Sequence, residues 1–228
     1  YRATRAKAGS FLKLCYNPTL AAEVTLQPIK RYGFDAAILF SDILVITEVF
    51  GYRVDFPEQG GIQLEAPVQS TALPVADTLQ YVRKTIELLK PALKVPLIGF
   101  CGGPFTVAKY MQQISHEWLE KITEASISYL QMQIEAGVDA VQIFDSWAGV
   151  GESSDFYSFS LPYLKKIVEA LRPANIPVIL FCRGSCRFAR ELADLKPAAI
   201  SFDWEKDLLE LRAKIPKDIA VQGNLDPE

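Results

Sequence analysis

A chain of 228 residues, half of them hydrophobic, is long enough for one large domain with a sizeable core, in the size range of a single α/β barrel. With 24 basic against 27 acidic residues the net charge is −3, so there is no basic excess for nucleic acid and no like-charge block that reads as a tail. No apolar stretch approaches the roughly 18 residues of a membrane span, and the polar start Tyr1-Arg2-Ala3-Thr4-Arg5 lacks the apolar core of a signal peptide.

The first strand candidate is the run 35–40, which reads as fully buried and delivers Ser41-Asp42 at its end. The chain stays apolar through Val45 and Ile46, so Asp42 sits where charge is costly without a partner. Two readings follow: Asp42 caps the next turn, or it waits for a cationic or N–H-rich ligand. Residues 53–74, rich in Gly, Pro and Gln, read as an excursion over one face. A helical pattern at 77–89 precedes the second strand, 95–100.

That strand runs into Cys101-Gly102-Gly103-Pro104-Phe105-Thr106. The glycines let backbone pass close to a ligand, and Pro104 with Thr106 suits a helix start. Tyr110 would then lie about one and a half turns in, with its hydroxyl toward a pocket; the alternative is a tight turn followed by a core tyrosine. The long helical pattern 117–136 ends at Gly137, a natural C-cap, and leads to the third strand, 139–144.

After it come Asp145-Ser146-Trp147. A serine nucleophile needs a nearby base, there is no G-x-S-x-G elbow, and the one histidine, His116, belongs to a polar helix start where it reads as solvated. Ser146 is better read as a hydrogen-bond donor to a ligand. A helix at 161–171, a strand at 176–181, a helix at 187–195, a strand at 198–202, a helix at 206–215 and a strand at 218–221 complete the series. Arg183 and Asp203-Trp204 follow the fourth and fifth strands, where they face a pocket or form a salt bridge at the rim.

Strand–helix alternation with apolar strands predicts an α/β fold with a parallel sheet covered on both faces. A doubly wound sheet usually brings a Gly-rich turn after its first strand, and Phe40-Ser41-Asp42-Ile43 has no glycine. Small and polar residues after nearly every strand suit a (β/α)8 barrel, although only six of eight strands are visible. Cys15 and Cys101 are isolated and Cys182 and Cys186 are four apart, so with one histidine a Cys/His metal site is poorly supplied. Reduced cysteines in a cytosolic protein are expected.

These motifs, in this order, resemble the uroporphyrinogen decarboxylase family. The resemblance rests on Tyr1-Arg2-Ala3-Thr4-Arg5, Thr25-Leu26-Gln27-Pro28, Phe40-Ser41-Asp42-Ile43-Leu44, Gly103-Pro104-Phe105-Thr106 with Tyr110-Met111, Phe144-Asp145-Ser146-Trp147-Ala148-Gly149, and Gln222-Gly223-Asn224-Leu225-Asp226-Pro227. It implies one (β/α)8 barrel domain over 1–228, cytoplasmic and homodimeric, with no metal or organic cofactor and no nucleic-acid or membrane partner. The implied activity is a carboxy-lyase acting on a tetrapyrrole. Asp42 would be the catalytic aspartate that meets the pyrrole N–H groups. Tyr110, Ser146 and Phe144 would contact the substrate, and Arg2, Arg5 and, more weakly, Arg183 would supply a basic rim for its carboxylates. Three family features do not appear. An Arg-Gln-Ala-Gly-Arg motif belongs just before Tyr1, a glycine-rich loop between Met111 and His116, and a histidine beyond Glu228. The barrel is therefore expected to be incomplete at both ends and in one loop. The alternatives are a methyltransferase of a related barrel, which needs zinc on His and Cys, and a non-catalytic porphyrinogen-binding protein.

Overall fold

Caps and breakers in the sequence set where the elements begin and end. The computed structural model describes residues 1–57, 61–68 and 72–226; Pro227 of the closing motif lies outside them. The chain divides into two compact units, residues 1–101 with 128–140, and residues 102–127 with 141–228.

The first unit opens with α1 (Arg2–Ala8), α2 (Phe11–Cys15) and α3 (Pro18–Tyr32), none of which the sequence reading anticipates. Pro28, inside α3, is the reason for the last omission, because an interior proline removes a helix hydrogen bond. The ends of α3 are nevertheless well specified. The Asn17 side chain accepts the Leu20 N–H at 3.1 Å, Pro18 takes the first helical position, and Gly33 closes the helix at φ 66°. Packing against α5 (Gln80–Leu89) holds it.

Thr25, from the Thr25-Leu26-Gln27-Pro28 motif, is buried. It donates to the Ala21 carbonyl at 2.9 Å and accepts the Phe40 N–H at 3.0 Å, which ties α3 to the chain just before Asp42. There β1 (Ala37–Ile38) pairs in parallel with β4 (Leu97–Gly102), Ala37 opposite Leu97. The expectation of a fully buried first strand needs correction. Ala37 and Leu39 are 1–2% exposed but Ile38 is 56% exposed. Side chains alternate across a strand, and only one face of this run is covered.

The excursion holds an antiparallel pair, β2 (Arg53–Asp55) and β3 (Gln63–Glu65), with Val54 opposite Leu64. The single helix expected at 77–89 is two, α4 (Val75–Thr78) and α5, which turns Val82, Ile86 and Leu89 inward. Leu14, Leu44, Ile46, Leu97 and Tyr129 are completely or almost completely buried in this unit. Each such leucine or isoleucine stabilises the fold by about 1.5–3 kcal/mol.

The second unit begins with α6 (Pro104–Met111). The helix α7 (His116–Ala136) supplies residues 116–127 here and 128–136 to the first unit, and it stops where Gly137 takes φ 112°. Then follow β5 (Ala140–Phe144), α8 (Ser153–Asp155), α9 (Leu161–Leu171), β6 (Val178–Phe181), α10 (Ala189–Asp194), β7 (Ala199–Ser201), α11 (Leu208–Arg212) and β8 (Ala220–Gln222). Strands β5, β6, β7 and β8 pair in parallel in chain order, with Phe144 opposite Phe181, Phe181 opposite Ser201, and Ser201 opposite Gln222. All six predicted strands are therefore present. Parallel strands in chain order with helices between them are the α/β architecture of a (β/α)8 barrel. No helix among the described residues is long and apolar enough to cross a membrane.

Candidate functional site

In the first unit, Asp42 uses one oxygen locally. Its Oδ1 accepts the Leu44 N–H at 2.8 Å and closes the turn before the 3₁₀ helix Val45–Phe50. The capping reading is thus right for one oxygen. Burial pushes its carboxyl above the usual range, the Leu44 N–H opposes this, and among the described residues no cation neighbours it. Arg2 and Arg5 are exposed on α1, where with Tyr1, Phe11 and Phe56 they line a surface cleft. An aromatic chain connects this cleft to the strand end. Phe11 meets Phe56 at 4.7 Å and Phe40 at 5.7 Å between centroids, and Tyr1 meets Phe40 at 5.8 Å. Phe40 lies two residues before Asp42.

The second unit is organised around Asp145, which has no exposed surface. Its Oδ1 accepts both the backbone N–H and the hydroxyl of Thr106, at 2.8 and 2.6 Å, and its Oδ2 accepts the Ser160 hydroxyl at 2.6 Å. Desolvation raises the Asp145 carboxyl, and these three hydrogen bonds oppose it. The Thr106 hydroxyl also accepts the Trp147 N–H at 3.0 Å, while the Gly103 N–H donates to the Phe144 carbonyl at 2.8 Å. The start of α6 and the turn after β5 are therefore fixed to each other. A side chain at Gly103 would fall on the Asp145 carboxyl, so only glycine permits this approach.

That frame brings three of the expected site residues together. Tyr110 is half-buried on α6, with its ring edge-on to Trp147 at 6.3 Å. Ser146 is half-buried in the turn between Asp145 and Trp147, and Phe144 ends β5 with its ring 5.8 Å from Phe181. Arg183 lies near the same turn, since its carbonyl accepts the Gly149 N–H at 3.0 Å. Its guanidinium rests over Trp204 at 5.7 Å rather than pairing with Asp203. Asp203 is buried and accepts instead from the Gly184 N–H and the Cys186 thiol. The rim salt bridge entertained for these residues is thus replaced by a stacked cation and a buried carboxylate that braces its own loop. His116 is exposed at the start of α7, as expected, with Nδ1 2.8 Å from the Tyr163 hydroxyl.

Gly149 and Gly184 pack backbone to backbone, and a Cβ on Gly149 would overlap the Arg183 and Gly184 carbonyls. Gly149→Ala is expected to cost about 2 kcal/mol of stability through overpacking. Urea unfolding will show this as a lower midpoint with an unchanged slope.

One residue next to the expected ones has no counterpart among the sequence expectations. Lys109 precedes Tyr110, and its ammonium lies 5.1 Å from the Phe105 ring centre and 5.4 Å from that of Trp147. The i, i+4 spacing of Phe105 and Lys109 on a helix start was the available signal; the Trp147 contact bridges 38 positions and leaves no local trace. All four cysteines are buried thiols outside any disulfide, and no group of three or more His, Cys, Asp and Glu suited to a metal occurs among the described residues.

Known proteins resemble this chain along its whole length. The family model for uroporphyrinogen decarboxylase (URO-D) matches residues 1–228. The uroporphyrinogen decarboxylase of Protochlamydia amoebophila (strain UWE25) is 48% identical over 254 residues, covering 100% of this chain and 69% of that protein. Those of Actinobacillus succinogenes and Neisseria meningitidis serogroup B are 41% and 40% identical, each over 100% of this chain and 73% of its own length. Among solved structures, a methyltransferase from Methanosarcina mazei superposes with TM-score 0.82 at 22% identity, over 98% of this chain and 74% of its own. It shares the fold.

Proposed function

Because this chain belongs to the uroporphyrinogen decarboxylase family, we propose that it removes carbon dioxide from the four acetate side chains of uroporphyrinogen and releases coproporphyrinogen. The observation that carries the reading is Asp42, a half-buried carboxylate with one oxygen committed to a turn and, among the described residues, no cation beside it. A carboxylate offers about four acceptor sites over its two oxygens. A puckered porphyrinogen directs four pyrrole N–H donors to one side, which suits such an acceptor.

Loss of carbon dioxide from a pyrrole acetate needs an electron sink. Protonation of the adjacent ring carbon supplies it, and the ring becomes cationic. The carbon–carboxylate bond then breaks, its electron pair moves into the ring, and carbon dioxide leaves an exocyclic methylene. Protonation of that methylene and loss of the added ring proton give the methyl group and restore the pyrrole. A fixed carboxylate beside the cation lowers the barrier most where water is excluded.

In this reading Asp42 anchors the pyrroles and stabilises the cation. Tyr110 and Ser146 donate hydroxyl contacts, Phe144 supplies apolar contact, and Arg2, Arg5 and Arg183 meet substrate carboxylates. The net charge of −3 cannot attract a polyanion by the overall field, so local cations carry that task. We place the protein in the cytoplasm as a homodimer; four buried cysteines outside any disulfide accord with a reducing compartment.

Anaerobic incubation with uroporphyrinogen, followed by oxidation and chromatography, tests the activity. Stepwise loss of four carboxyl groups ending at coproporphyrin is the expected result, and unchanged uroporphyrin refutes it.

A further inference from the structure

We propose that Lys109 is a carboxylate-binding residue, which grips a side-chain carboxylate of the substrate from the end of α6; the proposal rests on the tetrapyrrole reading above. Phe105 and Lys109 lie one turn apart on α6, so the ammonium reaches over the Phe105 ring at 5.1 Å and over Trp147 at 5.4 Å. Attraction to two ring faces fixes the cation without neutralising it.

Among the described residues the two other lysines over aromatic rings, Lys121 over Trp118 and Lys166 over Tyr163, each pair with a carboxylate. Lys90 pairs with Asp139 at 2.9 Å and Lys121 with Glu117 at 2.7 Å, whereas among the described residues no carboxylate and no hydrogen-bond acceptor meets Lys109. Its three N–H donors remain available to an anion.

Position supports the assignment. Lys109 is followed in sequence by Tyr110, whose ring abuts Trp147, and Trp147 is preceded by Ser146. The turn carrying Ser146 and Trp147 is fastened to the start of α6 by the Asp145–Thr106–Trp147 hydrogen bonds. A cation and two hydroxyl-bearing side chains are thus held in one rigid array, all in the second unit. A ligand that bears a carboxylate a few bonds from a flat ring suits this array. The ring spreads over Trp147 and the carboxylate reaches the ammonium, where a charge-assisted hydrogen bond forms.

Lys109→Gln, Lys109→Met and Lys109→Arg test this in the intact protein. The first two are expected to raise KM for uroporphyrinogen about ten-fold, the lower end for a hydrogen bond to a charged group, with kcat changed less. Lys109→Arg retains the cation and should recover most of the affinity. The salt dependence of KM should be shallower in Lys109→Gln than in wild type, because one cation–anion contact is gone. A residue that merely packs would lower the melting temperature and leave the salt slope and the arginine rescue without effect. Wild-type KM and salt slope in both neutral variants would overturn the proposal. If the wild-type protein neither binds nor converts uroporphyrinogen, the functional reading itself falls and takes this one with it. Wild-type turnover with insensitive variants removes only the lysine.

Discussion

Asp42→Asn is expected to lower kcat by about 10²-fold or more, the usual loss when preorganised charge beside a developing cation is removed. The substitution is nearly isosteric. Its side-chain oxygen can still accept the Leu44 N–H, so the turn before the 3₁₀ helix should persist. What disappears is the negative charge and half of the acceptor capacity for pyrrole N–H groups. Burial holds the Asp42 carboxyl above the usual carboxylate range. In the wild type kcat/KM should therefore decline as pH falls through that raised value, and in Asp42→Asn this acid limb should vanish. Stability moves the other way. A carboxyl raised by burial costs folding free energy once ionised, so the variant should be at least as stable as wild type at neutral pH. Near-wild-type turnover, or an unchanged acid limb, contradicts the role.

Asp145→Ala is expected to be the most destabilising of these substitutions, by about 3–5 kcal/mol. It strands the Thr106 N–H, the Thr106 hydroxyl and the Ser160 hydroxyl in a site with no exposed surface, each donor costing about 1–3 kcal/mol when unpaired. Asp145→Asn keeps an oxygen for Thr106 and offers an N–H to the Ser160 oxygen, so its cost should be well under half as large. The pH dependence separates the two effects. Desolvation raises Asp145 in the folded state, so between its unfolded value, roughly 4, and the folded one the native state binds more protons. This group's contribution to stability therefore falls as pH rises through that window and levels off above it. Urea midpoints across the acid range should show the slope in wild type and lack it in Asp145→Asn. Equal stability of Asp145→Ala and wild type would remove Asp145 from its organising place.

The strands were legible because each is a short apolar run ending in a small or polar residue, and such a run signals itself locally. The three N-terminal helices were not. Pro28 argues against a helix that tertiary packing nevertheless sustains, and the flanking Asn17 and Gly33 become signals only once the helix is known. Asp42 stood out as an ill-hydrated carboxylate, yet spacing does not show that its two oxygens divide the work. Asp145 read as one more polar strand end. Its partners, Thr106 and Ser160, lie 39 positions before it and 15 after it, and only the fold brings them to one carboxylate. Lys109 was overlooked for the same reason, since a lysine on a helix is ordinarily a solvated surface residue.

The chain has three tryptophans, and each carries a cation over its ring: Lys121 over Trp118, Lys109 over Trp147 and Arg183 over Trp204. An excited indole shifts charge across its ring, so its emission depends on the cation facing it. Lys121 already has Glu117 as a counter-ion, and its field at Trp118 is largely compensated. Among the described residues Lys109 has none, so an anion arriving there changes what Trp147 senses. Under the Lys109 proposal Trp147 is thereby a native optical gauge of the anion's arrival. Because a porphyrinogen lacks the visible absorption of the oxidised ring, the gauge can be read with uroporphyrinogen itself and needs no attached dye.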